Sequence, residues 1–287
     1  MYRYGLLGAA IVMWQLTPLP TLVTSVVVAL MPIESDVEIG QAYVEMSGLR
    51  RRVLRDRVLD DAVGAISGRV LQALSRRERE QYAWQFQVVD DDSVNAFALP
   101  GGWVFLNCGL LRATRTPEEV AGVVAHEMGH VLSRHSQKRM IEERLISTLL
   151  RALVHEDGDD EQEGFGERVA ETLARGALQL GALRFSRANE FEADARGSKL
   201  LRAAGIGVGG MVSFFEELLR LEADAPSSAL SREWLSTHPA TTERIRTLRA
   251  QVDELPAAER ARAWSGGAMR FRELDWEAVR RAAAIGH

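Results

Sequence analysis

His126, Glu127 and His130, in the run His126-Glu127-Met128-Gly129-His130, are the residues of this 287-residue chain best suited to chemistry. On a helix, positions four apart lie one turn above each other, so the two imidazoles can share one cation. Glu127 is rotated from His126 by about 100°, which lets it reach a water without becoming a ligand. Two nitrogen ligands and a base at that spacing point to metal-assisted hydrolysis. A catalytic zinc site usually holds three protein ligands, so a downstream carboxylate is expected as the third. Glu190 and Asp194 lie four apart in Ser186-Arg187-Ala188-Asn189-Glu190-Phe191-Glu192-Ala193-Asp194. They can supply a ligand and a group that orients a ligand histidine, or form an ordinary acidic helix face. His238, in Ser236-Thr237-His238-Pro239, is either part of the site or a histidine serving a helix start. The lone Cys108 excludes an internal disulfide and a cysteine zinc knuckle, and reads as a small buried residue. Asp90-Asp91-Asp92-Ser93 lacks the EF-hand spacing and its closing glutamate, and reads as a solvated turn.

The segment from Thr116 to His135 must carry the two histidines, and it has the marks of a helix. Thr116 can cap it, Pro117 suits its first position and Glu119 can close a capping box. Val120, Val123, Val124 and Val131 recur at helical spacing, and apolar residues continue through Met140 to Leu150, so the helix is expected to run on. The acidic stretch 155–164 reads as a loop, and its His155 as no ligand. Glu190 and Asp194 fall in a long helical region over about Arg168–Ala204, stopped at Gly205. Further helices are expected over 56–75, Met211–Leu221 and Thr241–Val252. Phe86–Asp90 reads as a strand. Val94–Ala98 and Trp103–Leu106, joined through Leu99-Pro100-Gly101-Gly102, read as a hairpin. The first arm of that hairpin either pairs with an extended substrate or only packs the core.

Apolar content of 46% supports a sizeable core, and a net charge of −5 with no long basic stripe argues against nucleic acid. From Tyr4 to Ile33 the chain is nearly uncharged, with Gln15, Thr17, Pro18 and Pro20 dividing it into two apolar runs. Arg3 precedes this stretch, and Glu34, Asp36 and Glu38 follow it. Residues 1–33 are therefore expected to be a signal peptide or an N-terminal membrane anchor that exports the rest. Residues 34–256 are expected to form the principal domain, with 257–287 as a helical tail.

The ordered set HEMGH, SRANEFEAD and STHP, preceded by NAFALPGGWVFLNCGLL and accompanied by FEADARGSKLLRAAGIG and MVSFFEELL, resembles the zinc metallopeptidases of the CAAX prenyl protease and HtpX family. The resemblance spans roughly Val37–Ala250 and is closest to the exported, soluble branch. It implies an α+β, mostly helical, zincin-like (gluzincin) domain with a small sheet and an active-site helix. His126, His130 and Glu190 would bind Zn2+, Glu127 would be the general base, and Asp194 would hold a ligand histidine. His238 would stand near the metal. Asn95, Ala96 and Phe97 would lie on the substrate-facing edge strand. The implied activity is endoproteolysis of unfolded or misassembled envelope proteins in the periplasm, with membrane association through residues 4–33. The several membrane spans of HtpX-type enzymes have no counterpart here, so a prenylated substrate is not expected. The rival readings are a zinc-stabilised, chaperone-like binding protein and a peptidase that trims short peptides. Glu127 speaks for an enzyme, because a structural site needs ligands but no base.

Overall fold

A computed structural model describes residues 19–142, 185–224, 234, 236–238, 241–265, 271 and 273–285. His155 and residues 168–184 lie outside them. The chain opens with helices α1 (Leu19–Leu30), α2 (Glu34–Met46), α3 (Leu49–Arg52), α4 (Arg57–Leu71) and α5 (Arg76–Glu80). Strand β1 (Gln85–Val89) follows, then β2 (Ala96–Leu99), a tight turn over Pro100–Gly102, and β3 (Trp103–Asn107). Further helices are α6 (Cys108–Ala113), α7 (Pro117–Leu132), α8 (Arg187–Ala204), α9 (Gly209–Asp224), α10 (Thr241–Asp253), α11 (Ala257–Ser265) and α12 (Trp276–Ile285). Mostly helical with one three-stranded sheet, this is the expected α+β class.

Local signals in the sequence explain most element boundaries. The Asp56 side chain accepts the Val58 and Leu59 amides and starts α4, whose Leu59, Ala62, Val63, Ile66 and Val70 are buried at helical spacing. Burying each leucine or isoleucine of that stripe contributes about 1.5–3 kcal/mol. Beta strand β3 is the centre of the sheet, parallel to β1 and antiparallel to β2, which leaves β2 at an edge. The β2–β3 hairpin turns at Pro100-Gly101-Gly102, where Gly101 and Gly102 have φ of 82° and 104°, values that glycine alone adopts readily. The aspartate turn is braced by charge: Arg52 pairs with Asp91 and Arg112 with Asp92.

Helix α7 is the axis of the domain. It is buried from Glu119 to Val131, with α4, the sheet, α8 and α9 against it. Thr116 caps it as expected, but Glu119 does not close the box. Its carboxylate instead accepts the Arg115 amide at 2.6 Å and the Ser213 hydroxyl of α9 at 2.6 Å. Gly129 lets α8 approach, since a Cβ there would stand 2.6 Å from the Ala193 carbonyl oxygen. Gly129→Ala is therefore expected to push α8 away and cost about 1–3 kcal/mol, as overpacking does. Thermal unfolding checks this, and an unchanged Tm would contradict so close an approach.

Two helices differ from the sequence reading. The metal-motif helix does not run on to Leu150: α7 stops at Leu132 and the chain turns at Arg134, with φ of 53°, before residues 135–142 become helical again. A left-handed arginine is costly, and its own side chain holds it. The guanidinium donates to the carbonyls of Val28 (2.5 Å) and Met31 (2.9 Å) and to Asp36 (2.6 Å). Likewise α8 does not begin near Arg168. Phe185 and Ser186 are non-helical, and the Ser186 hydroxyl caps the helix by accepting the Asn189 amide. Gly205 ends α8 in the left-handed conformation, as its position implied.

The C-terminal segment packs into the main core through Ala263, Phe271, Trp276, Val279 and Ala283. Trp276 donates its indole N–H to the Thr114 carbonyl just ahead of α7. Near the N-terminus, α1 buries Thr24 and Val28 and exposes Leu22, Val26 and Leu30. Among the described residues, no helix is long and apolar enough to cross a membrane.

Candidate metal centre

His126 and His130 project from α7 toward α8, with their Nε2 atoms 3.1 Å apart. Glu190 enters from the first turn of α8, Oε1 at 3.3 Å from His130 Nε2 and Oε2 at 3.6 Å from His126 Nε2. His238 arrives from beyond α9. Its Nδ1 lies 3.1 Å from Glu190 Oε1 and 3.3 Å from His126 Nε2. All four side chains are buried. One ligand atom from each falls within a sphere of contacts no wider than 4.8 Å. Donors at about 2.0–2.1 Å from a tetrahedral cation are separated by about 3.3 Å, so this spacing fits a metal. Two imidazole nitrogens facing each other at such a distance, with a carboxylate beside them, need a shared cation or protons to relieve their lone pairs.

The electrostatics agree. Burial pushes both α7 histidines toward the neutral, ligating form, His130 well below the ordinary value. Burial disfavours the Glu190 carboxylate, but the charge and hydrogen bond of His238, with His130 beside it, overcome that cost and hold the group ionised. His238 is pulled the other way: burial lowers its pKa, and the charges of Glu190 and Glu127 more than restore it.

Glu127 points into the same space. Burial lifts its pKa to about 7, against the pull of His238. Among the described residues neither carboxylate oxygen has a hydrogen-bond partner, and His238 Nε2 stands 3.6 Å from Oε1. An ionisable group left this way in a core carries a desolvation cost that ordinary packing does not explain.

Around the donors lies a tier of supports. Asp194 Oδ1 is 2.9 Å from His126 Nδ1, which fixes the proton there and turns Nε2 inward. The sequence analysis missed Arg244 on α10. It is fully buried and bidentate on Asp194 at 2.7 Å, while its Nη1 lies 2.6 Å from Glu190 Oε2, off the hydrogen-bonding direction. Phe215 of α9 lies under the guanidinium, 4.3 Å from ring centre to Cζ. A charge count offered a signal for Arg244. Three buried acids, Glu127, Glu190 and Asp194, exceed what one divalent cation neutralises.

His135, Glu192, Phe185 and Trp234 were also missed. Phe185 stacks on His130 at 4.1 Å and Trp234 on His238 at 4.4 Å. The backbone joins the two arms, Phe185 N donating to Thr237 O at 3.1 Å. On the strand side, Asn95 and Ala96 are buried, Phe97 stacks on Phe105, and β2 packs along α7. Cys108, at the start of α6, is buried, and burial pushes its thiol pKa up.

The fold and the donor set define a metallopeptidase of the H-E-x-x-H type. The model of peptidase family M48 matches residues 60–252, more than half of the chain, and the chain belongs to that family. It is 28% identical over 233 residues to the putative beta-barrel assembly-enhancing protease of Vibrio cholerae, covering 78% of this chain and 45% of that protein. The beta-barrel assembly-enhancing protease of Escherichia coli is 27% identical over 232 residues, with coverage of 78% and 45%. The mitochondrial metalloendopeptidase OMA1 of Arabidopsis thaliana is 32% identical over 179 residues, with coverage of 62% and 33%. The chain thus spans less than half the length of these relatives.

Glu190→Ala is expected to weaken metal binding sharply, because it removes the only carboxylate among the four clustered donors and leaves the two α7 histidines dependent on His238 for a third position. Metal analysis of the purified protein checks it, and full occupancy in that variant would remove Glu190 from the set.

Proposed function

We propose that the protein is a zinc endopeptidase that cleaves unfolded or misassembled polypeptides outside the cytoplasm. The observation that carries this reading is the buried Glu127 carboxylate, without a hydrogen-bond partner among the described residues, beside four converging donors. A purely structural metal site has no use for it. His126, His130 and Glu190 would hold zinc. Bound there, zinc lowers the pKa of water to about 7 and polarises a carbonyl. Glu127 takes the proton of the attacking water and returns it to the leaving amine nitrogen. His238 donates a hydrogen bond to the oxyanion that develops on the substrate. Asp194 and Arg244 keep the ligands oriented. The edge backbone of β2 from Ala96 and Phe97 pairs with an extended substrate, which favours unfolded chains over stable helices and strands. Asn95, whose own N–H and C=O bond to Ser93 and Asn107, anchors the start of the strand.

The relatives named for beta-barrel assembly support a role in envelope quality control. The charge pattern around residues 4–33 supports export of Glu34 and everything after it, with 1–33 as signal or anchor. The test is incubation of the full chain with unfolded casein, with and without chelator. Chelator-sensitive internal cleavage is expected. Release of terminal residues alone would instead indicate a trimming peptidase, and binding without cleavage a chaperone-like protein.

In the described conformation the His238 ring is drawn in among the donors, where it could serve as a fourth ligand in a resting state. Turnover then requires it to swing outward to its donor role. His238→Ala is expected to keep zinc and lose about 3–4 kcal/mol of transition-state stabilisation, read as a fall in kcat. A rise in basal cleavage would assign the residue to holding the site closed, and unchanged kinetics would leave it structural.

A further inference from the structure

The two α7 histidines are supported differently. His126 has a carboxylate directly on its outer nitrogen, Asp194 at 2.9 Å. The outer nitrogen of His130 instead meets a second imidazole, Nδ1 to Nδ1 of His135 at 2.9 Å. His135 Nε2 in turn faces Glu192 Oε2 at 3.3 Å, and the other Glu192 oxygen accepts the Ser133 hydroxyl at 2.8 Å. His135 is wholly buried, while Glu192 is 43% exposed, so the row leads from the donor cluster to the surface.

Only one of two facing Nδ1 atoms can carry the shared proton. A carboxylate only accepts, so Glu192 requires the His135 proton on Nε2. His135 Nδ1 is then a bare acceptor, and His130 must donate from Nδ1. The His130 lone pair is thereby left on Nε2, the atom that faces His126 and Glu190. Reversing the middle bond would let His130 donate from Nε2 toward Glu190, but it would set the lone pair of His135 Nε2 against Glu192. Glu190 already receives His238 Nδ1 at 3.1 Å and the charge of Arg244, so the outer carboxylate sets the direction of the row.

We infer that His135 and Glu192 are positioning residues that fix His130 in its metal-binding tautomer, through a carboxylate–imidazole–imidazole row one link longer than the one that serves His126. The inference rests on His130 being a ligand.

The test uses the full chain in two measurements. Zinc affinity is read by competition with a chromophoric chelator for the wild type, Glu192→Ala, Glu192→Gln and His135→Phe. The His130 tautomer is read by nitrogen NMR of ¹⁵N-histidine-labelled, metal-free protein. Glu192→Ala and His135→Phe are expected to weaken zinc binding by about 10–100-fold, as loss of such partners typically does. Glu192→Gln, whose amide oxygen still accepts from His135, should recover much of that loss. Metal-free wild type should carry the His130 proton on Nδ1, and Glu192→Ala should show a mixture. Glu192 lies at the surface, so its alanine variant is expected to fold even if His135→Phe does not. Unchanged affinity in Glu192→Ala, or a wild-type His130 protonated on Nε2, would overturn the inference. If the wild type failed to hold zinc, the ligand assignment of His130 would fall, and the tautomer spectra would still decide the row.

Discussion

Glu127→Gln is expected to keep its metal and lose hydrolysis by a factor on the order of 10²–10⁴. The substitution leaves His126, His130, Glu190 and His238 untouched, so the donor spacing of 3.1–3.6 Å should persist. What disappears is a buried carboxylate facing the site, neither oxygen of which has a hydrogen-bond partner among the described residues. The glutamine amide also avoids a buried charge at a position where burial lifts the carboxyl pKa to about 7. The metal-free variant should therefore be at least as stable as the parent. Metal content, thermal unfolding and casein cleavage measured on one preparation check all three expectations. Retained cleavage with full metal would mean that a different group moves the proton.

Arg244→Met should have the largest effect on stability. The guanidinium neutralises Asp194 and Glu190 in a place where none of the three groups meets solvent. Removing one partner of a buried ionic group strands the rest, at a cost of about 3–5 kcal/mol. Methionine roughly keeps the volume and the contact with Phe215, so packing alone should account for little of the loss. A divalent cation supplies charge at nearly the same place. The drop in Tm is thus expected to be larger for metal-free protein than for protein with saturating zinc. Equal drops in both states would show that Arg244 acts by packing and not by charge.

The parts of this architecture that were legible in sequence are those set by local periodicity and capping. Thr116, Asp56 and Gly205 mark helix ends by chemistry that operates within three or four residues. The hairpin is encoded by Pro100-Gly101-Gly102 between two apolar runs. The donor set was legible because two pairs at helical spacing, His126/His130 and Glu190/Asp194, each define a helix face. His135 was not legible for the same reason in reverse. Nine positions after His126, it falls on the opposite face of a continuous helix, and only the turn at Arg134 returns it to His130. Glu192, two positions after Glu190, reads as a solvent residue, and it is half-exposed. Arg244 sits in a helix whose sequence is mostly polar, and its burial is decided by partners 50 and 54 residues away. The parallel pairing of β1 with β3 likewise depends on tertiary packing, which no short segment encodes.

The left-handed turn at Arg134 is held from far upstream in the sequence. Two of the three groups that hold its side chain are carbonyls at Val28 and Met31, ahead of the first acidic residue, Glu34. A leader cut at the apolar-to-acidic border would carry both carbonyls away and leave Asp36 alone to hold the guanidinium. Hydrogen bonds to charged groups contribute about 1.5–3 kcal/mol each, and these two secure the bend that delivers His135 to the back of His130. The stretch from Thr24 to Met31 therefore behaves as a tether between whatever lies upstream and the metal helix. A cut on the N-terminal side of that tether would leave both hydrogen bonds to Arg134 in place. Proteolysis within it would act as an off-signal from about a hundred residues away in sequence.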